Sequence, residues 1–145
     1  MSVTLAERIE GLLDDENTEE QSDKLSRMFQ MRENFMRSLR AVHPGTYPIK
    51  WPVDITQKDS QRLCRDLALH GVEEIFEATT HLKNAKSHRT SEVTDIDRDA
   101  VLEEMVDAFN YFLSMLILMG FTEQNLFEMF VKKDKIIHER LTNGY

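Results

Sequence analysis

The chain is poor in the residues that mark stapled or loop-rich folds: one cysteine, three prolines and five glycines in 145 residues. Cys64 has no internal partner for a disulfide, so nothing calls for an oxidising compartment. The longest apolar run, residues 108–121, has 14 residues and is interrupted by Asn110 and Ser114, whereas a membrane helix needs roughly 20. The first 16 residues carry acids where a signal peptide needs an unbroken apolar stretch, and a cytoplasmic protein with no membrane partner is the expectation. A basic excess is also missing. With 18 Lys+Arg against 26 Asp+Glu and a net charge of −8, the chain is not built around a nucleic-acid backbone.

That charge is unevenly spread. Residues 1–21 hold seven acids and one base, so the remaining body is close to neutral. The acidic segment 1–21 reads as a solvated appendage in which Leu5, Ile9, Leu12 and Leu13 have the spacing of a short docking helix. Residues 22–145 read as one domain. The apolar content of 41% with few glycines suits a helical core, and periods of three and four dominate. Ser22 is placed to cap a first helix with Leu25, Met28, Phe29, Met31, Phe35, Met36 and Leu39 inward. Pro44, Pro48 and Pro52 make the next window a loop.

A second helix is expected from about Asp59 to Asn84, with Leu63, Leu67, Ala68, Val72, Ile75, Phe76 and Thr79 inward. Gly71 in its middle costs about 1 kcal/mol of helix propensity relative to Ala and points to close approach of another backbone. A polar, aperiodic stretch follows, then a third helix from about Arg98 to Met119 ended by Gly120. Its second half is apolar nearly all round, which calls for burial on every side and hence a covering partner subunit. Thr122 caps a fourth helix running to about Arg140, with Phe121 and Leu126 spaced as a hydrophobic staple. The fold class is all-α, a bundle of four to five helices completed by oligomerisation.

The second helix carries Glu73, Glu74 and Glu77, and the third carries Glu104 and Asp107. Carboxylates three apart share a helix face, close enough to hold one hard cation. Antiparallel packing of the two helices would gather Glu74, Glu77, Glu104 and Asp107 around one site. Oxygen-only donors select Mg²⁺, or Mn²⁺, over zinc. A di-iron site of the Glu-x-x-His type is excluded, since no histidine has a glutamate three residues before it. His70 and His81 lie along the same stripe as outer groups.

At these residues the sequence resembles the MazG-like and all-α dimeric dUTPase superfamily of nucleoside triphosphate pyrophosphohydrolases. The signature of that superfamily is E-E-x-x-E followed by E-x-x-D on the next helix, matched by Glu73-Glu74-x-x-Glu77 and Glu104-x-x-Asp107. The tail from Lys133 through Arg140 to Gly144-Tyr145 looks like the K-N-x-x-N-x-x-R-Q-x-x-G-Y ending of the dimeric dUTPases and their phage relatives. The resemblance spans roughly residues 25–145. The chain departs from it at Asp134, Ile137 and Leu141, and Asn110 replaces a histidine before the aromatic pair. It therefore implies the reaction class more firmly than dUTP or dCTP as substrate.

What the resemblance implies is hydrolysis of a (deoxy)nucleoside triphosphate between the α and β phosphates. Glu74, Glu77, Glu104 and Asp107 would hold two or three Mg²⁺, with Glu73 a further ligand or an outer acid. Glu74 or Glu77 would orient the attacking water and take its proton. Lys83, Lys86, Lys133, Arg140 and Tyr145 fall where related enzymes meet phosphate or substrate, and a guanidinium fork suits phosphate oxygens best. Asn110, an amide within an apolar helix, needs a hydrogen-bond partner. Trp51 is open between packing and stacking on a base. The partners implied are the triphosphate and a second copy of the chain, as a dimer or dimer of dimers. A non-catalytic helical dimerisation module is the competing expectation.

Overall fold

The computed structural model describes residues 23–84 and 86–144. The acidic segment, the Ser22 cap and Tyr145 lie outside the described residues. Four helices are present and no strand is found among the described residues: α1 Lys24–Val42, α2 Lys58–Thr80, α3 Arg98–Leu118 and α4 Glu123–Asn143. The fold is all-α.

Local chemistry explains the boundaries. Asp23 caps α1, its carboxylate accepting from the Leu25 N–H, and Asp97 does the same for Ala100 at the start of α3. Gly120, at φ +83°, closes α3: the Phe121 N–H donates to the Leu116 carbonyl and the Gly120 N–H to that of Ile117. Thr122 then starts α4 through a reciprocal box with Asn125. The second helix ends at Thr80, four residues earlier than the periodicity predicts. The hydroxyls of Thr79 and Thr80 donate to the carbonyls of Phe76 and Glu77, competing with continuation of the ladder, and Lys83 leaves the helical region at φ +64°.

The centre of the molecule is α3. Its Leu113, Ser114, Ile117 and Leu118 are buried against Phe29 and Met36 of α1, Tyr47 of the proline loop and Leu67 of α2. Both flanking helices run antiparallel to α3. Residues rise from Gly71 to His81 along α2 as their neighbours fall from Tyr111 to Glu104. Arg32 of α1 meets Ser114, while Ser26 and Phe29 line one cleft with Ile117 and Gly120. The proline loop, with a cis Trp51–Pro52 bond, is tied to the end of α3 by the Val53 N–H donating to the Leu118 carbonyl.

Several residues expected inward face out. On α2, Val72, Ile75 and Phe76 are exposed, Phe76 at 67%, as are Leu102, Met105 and Val106 on the facing part of α3. The seam instead consists of Gly71, Ala78 and Ala108, whose small size brings the backbones together and turns the larger chains away. Met28, Met31 and Phe35 of α1 are exposed likewise. The second half of α3 is buried or half-buried at every position from Ala108 to Leu118 except Phe112, which is exposed. No residue of α4 is fully buried; the helix turns 108° from α3, packs against α1, and sets Leu126 half-buried against the core. Among the described residues no single helix is long and apolar enough to cross a membrane.

Gly71 sets the α2–α3 distance. A Cβ built there lies 3.3 Å from the Tyr111 Cβ and 3.6 Å from the Ala108 carbonyl oxygen. Gly71→Val should lower stability by about 1–3 kcal/mol through overpacking. Gly71→Ala should stay within about 1 kcal/mol of wild type, because its helix-propensity gain offsets the tight contact. Urea unfolding midpoints check both.

Candidate metal centre between the second and third helices

Glu74 and Glu77 follow Gly71 by one and two turns, so the close approach at the glycine carries both toward α3. There Glu104 meets them, and one carboxylate oxygen from each of the three lies within 4.8 Å of the others. Glu74 and Glu104 are half-buried and Glu77 is exposed. Asp107 completes the field: its charge, with those of Glu77 and Glu104, acts on Glu74. The Glu74 carboxyl is held above its ordinary value of 4.5, first by burial and then by repulsion from Glu77, Asp107 and Glu104, with a hydrogen bond shared with Glu104 adding to it. His81 Nε2 stands 3.4 Å from Glu104 Oε1.

The donor set fits a hard divalent cation. It is all oxygen, it converges from two rigid helices, and its like charges are strained in a way that a cation relieves. Glu73 does not join it; its carboxylate turns to His70 Nδ1 at 3.1 Å, and the His70 ring stacks on Tyr111.

The other residues expected at the site are dispersed. Lys83 and Lys86 are not on the extension of α2 but in the loop after it, where the Lys83 ammonium donates to the Asp95 carbonyl. Lys133 and Arg140 are exposed on α4, which reaches neither α2 nor α3. Trp51 packs at the opposite end of α3, donating to Glu33, edge-on to Tyr47 and under the Arg37 guanidinium. Asn110 is half-buried on α3, one turn from Asp107.

Arg32 escaped the sequence reading. It lies on the core stripe between Phe29 and Met36, a position at which a charged residue is itself a signal. Its Nε donates to Ser114 Oγ at 2.7 Å, and its guanidinium lies 4.6 Å from the Phe35 ring centre and 5.9 Å from that of Tyr111. Ser114 is fully buried and also takes the Tyr47 hydroxyl at 3.3 Å.

No family model, no curated protein and no solved structure matches the chain.

Because the folded state raises the Glu74 carboxyl, the native protein binds more protons than the unfolded chain just above pH 4.5 and loses stability as pH rises through that window. Metal-free Glu74→Gln should therefore melt higher than metal-free wild type at pH 7, with the gap closing as pH falls below 4.5. Mg²⁺ at a hundred times its Kd should stabilise wild type by about 2.7 kcal/mol and leave Glu74→Gln nearly unmoved. Calorimetry with and without chelator reads both effects.

Proposed function

We propose that the chain is a Mg²⁺-dependent nucleoside triphosphate pyrophosphohydrolase. The observation that carries this reading is the convergence of Glu74, Glu77 and Glu104 oxygens within 4.8 Å from two antiparallel helices, at the E-E-x-x-E and E-x-x-D spacing. Glu74, Glu77, Glu104 and Asp107 would hold the cations; once bound, Mg²⁺ supplies neutralisation of the polyphosphate charge and acidification of water.

The protein's own part is positioning and proton transfer. Water adds to the α-phosphorus, the bond from that phosphorus to the oxygen bridging to the β-phosphate breaks, and pyrophosphate leaves. The water's proton passes to a carboxylate of α2. Either Glu74 or Glu77, both one to two turns beyond Gly71 on α2, is placed to take it. Glu77, more exposed, serves as a ligand at the open edge, where the phosphates enter.

Self-association belongs to the same proposal. Large apolar side chains stand exposed on α2, α3 and α4, Phe130 at 68%, and contiguous patches of this kind mark interfaces. Because α4 reaches neither α2 nor α3 of its own chain, Lys133 and Arg140 act on substrate only if they serve the site of a second copy.

Pyrophosphate release across a panel of ribo- and deoxynucleoside triphosphates with Mg²⁺ tests the reaction. Turnover of at least one triphosphate is expected, with Glu74→Ala, Glu104→Ala and Asp107→Ala each lowering kcat/KM by about a hundredfold or more. A wild type inert on every triphosphate overturns the reading in favour of a non-catalytic helical module. Sedimentation should show a dimer or larger species, and Phe130→Asp should shift it toward the monomer.

A further inference from the structure

Beside the carboxylates lies a cation that none of them neutralises. Among the described residues Arg32 makes no ion pair, and its one hydrogen bond uses Nε, on Ser114. Its two terminal amino groups remain open, unlike those of Arg37, which pairs with Glu33 at 2.7 Å. The guanidinium is nonetheless fixed. Ser114 is held in the core by Tyr47, and the faces of Phe35 and Tyr111 bracket the charge.

Its place along α3 is informative. Tyr111 and Ser114 lie one and two turns beyond Asp107, about 6–10 Å at the helical rise. A ligand with its α-phosphate over Glu74, Glu77 and Glu104 and its nucleoside end directed along α3 toward Tyr111 would bring that end to the level of Arg32. The groups there are aromatic: Phe35 and Tyr111 against the guanidinium, and His70 stacked on Tyr111. The exposed His70 ring is the flat face there on which a base would stack. A guanidinium donates only and accepts nothing.

We infer that Arg32 reads the base of the substrate by donating to a carbonyl oxygen, so that the site favours guanine, cytosine, uracil or thymine over adenine. Adenine is the common base with no ring carbonyl, and next to its N7 acceptor it presents an amino group that opposes a donor fork. This inference rests on the hydrolase reading above.

The test is kcat/KM for dGTP, dCTP, dUTP, dTTP and dATP with Mg²⁺, on wild type, Arg32→Met and Arg32→Lys. Wild type should prefer at least one carbonyl base over dATP by about tenfold or more. Arg32→Met should erase most of that ratio, chiefly through KM, with the Mg²⁺ concentration for half-activity unmoved; Arg32→Lys, which keeps a donor, should retain part of it and serves alone if the Met variant does not fold. Equal losses on all five substrates would make Arg32 a phosphate or structural group and overturn the assignment, as would an unchanged ratio or a wild type that prefers dATP. A wild type with no triphosphatase activity overturns the hydrolase reading itself, whereas an active enzyme with unaltered base ratios overturns the Arg32 assignment alone.

Discussion

Two helices that bring carboxylates face to face repel each other, and here they are held together where α2 crosses α3 at Gly71, with Tyr111 and Ala108 in direct contact. A side chain larger than a methyl at that point would set the helices apart and move Glu74 and Glu77 away from Glu104. The repulsion is tolerated for two reasons. Water screens acids at an open edge, while the other end of α3 is anchored by side chains such as Leu113 and Leu118, each contributing about 1.5–3 kcal/mol when fully buried. The strain is concentrated at Glu74, the least solvated of the α2 pair, and appears there as a raised carboxyl. A cation bound between the helices would relieve that strain without moving either backbone.

The same seam of small residues decides where the apolar surface goes. Since Gly71, Ala78 and Ala108 fill the contact, Val72, Ile75 and Phe76 of α2 and Leu102, Met105 and Val106 of α3 are directed outward. α4 has no fully buried residue and joins the core chiefly through Leu126, so its helicity leans on local terms, the turn at Gly120 and the Thr122–Asn125 box, the cap itself worth about 0.5–2 kcal/mol. Helices in proteins draw most of their stability from packing. An exposed 21-residue helix carrying Phe127, Phe130 and Val131 is therefore better understood as one half of a packed layer than as a finished surface, which supports a second copy as partner.

How far the sequence could be read follows from which forces are local. Helix existence, the proline loop, the Gly120 turn and the Thr122 cap depend on residues within a few positions of one another, and each is where the periodicity and turn chemistry place it. The meaning of Gly71 was legible because a glycine within a helix has a cost that only a close neighbour explains. The inward face of α2 was not. Hydrophobicity alone cannot choose between a stripe of Val72, Ile75 and Phe76 and one of Gly71 and Ala78, because that choice depends on the distance to α3. The end of α2 was misplaced by one turn, since the threonine hydroxyls compete for carbonyls that hydrophobic periodicity ignores. Of the candidate site, the spacing of Glu74, Glu77 and Glu104 carried over into geometry, while Lys83 and Lys86, named for their distance along a helix, left with the helix that ended early.

Arg32 shows why the remaining chemistry is invisible in one dimension. A flexible arginine near four carboxylates would collapse onto them and occupy the place of a cation. Here the Ser114 hydroxyl, fixed from the other side by Tyr47, takes Nε, and the guanidinium rests over the Phe35 and Tyr111 rings. Tyr111 feels both sides: burial and the charge of Glu74 push its hydroxyl up, and Arg32 pulls it down. Tyr111 of α3 thus lies within the field of both a negative centre on α2 and a positive one on α1. On the proposed reading, such separation suits a ligand that presents opposite demands at its two ends, a cation-bearing polyphosphate at one and a hydrogen-bond acceptor at the other. Holding both groups in place before the ligand arrives lowers the ordering cost of binding it, and the buried Ser114 is what fixes Arg32 in advance.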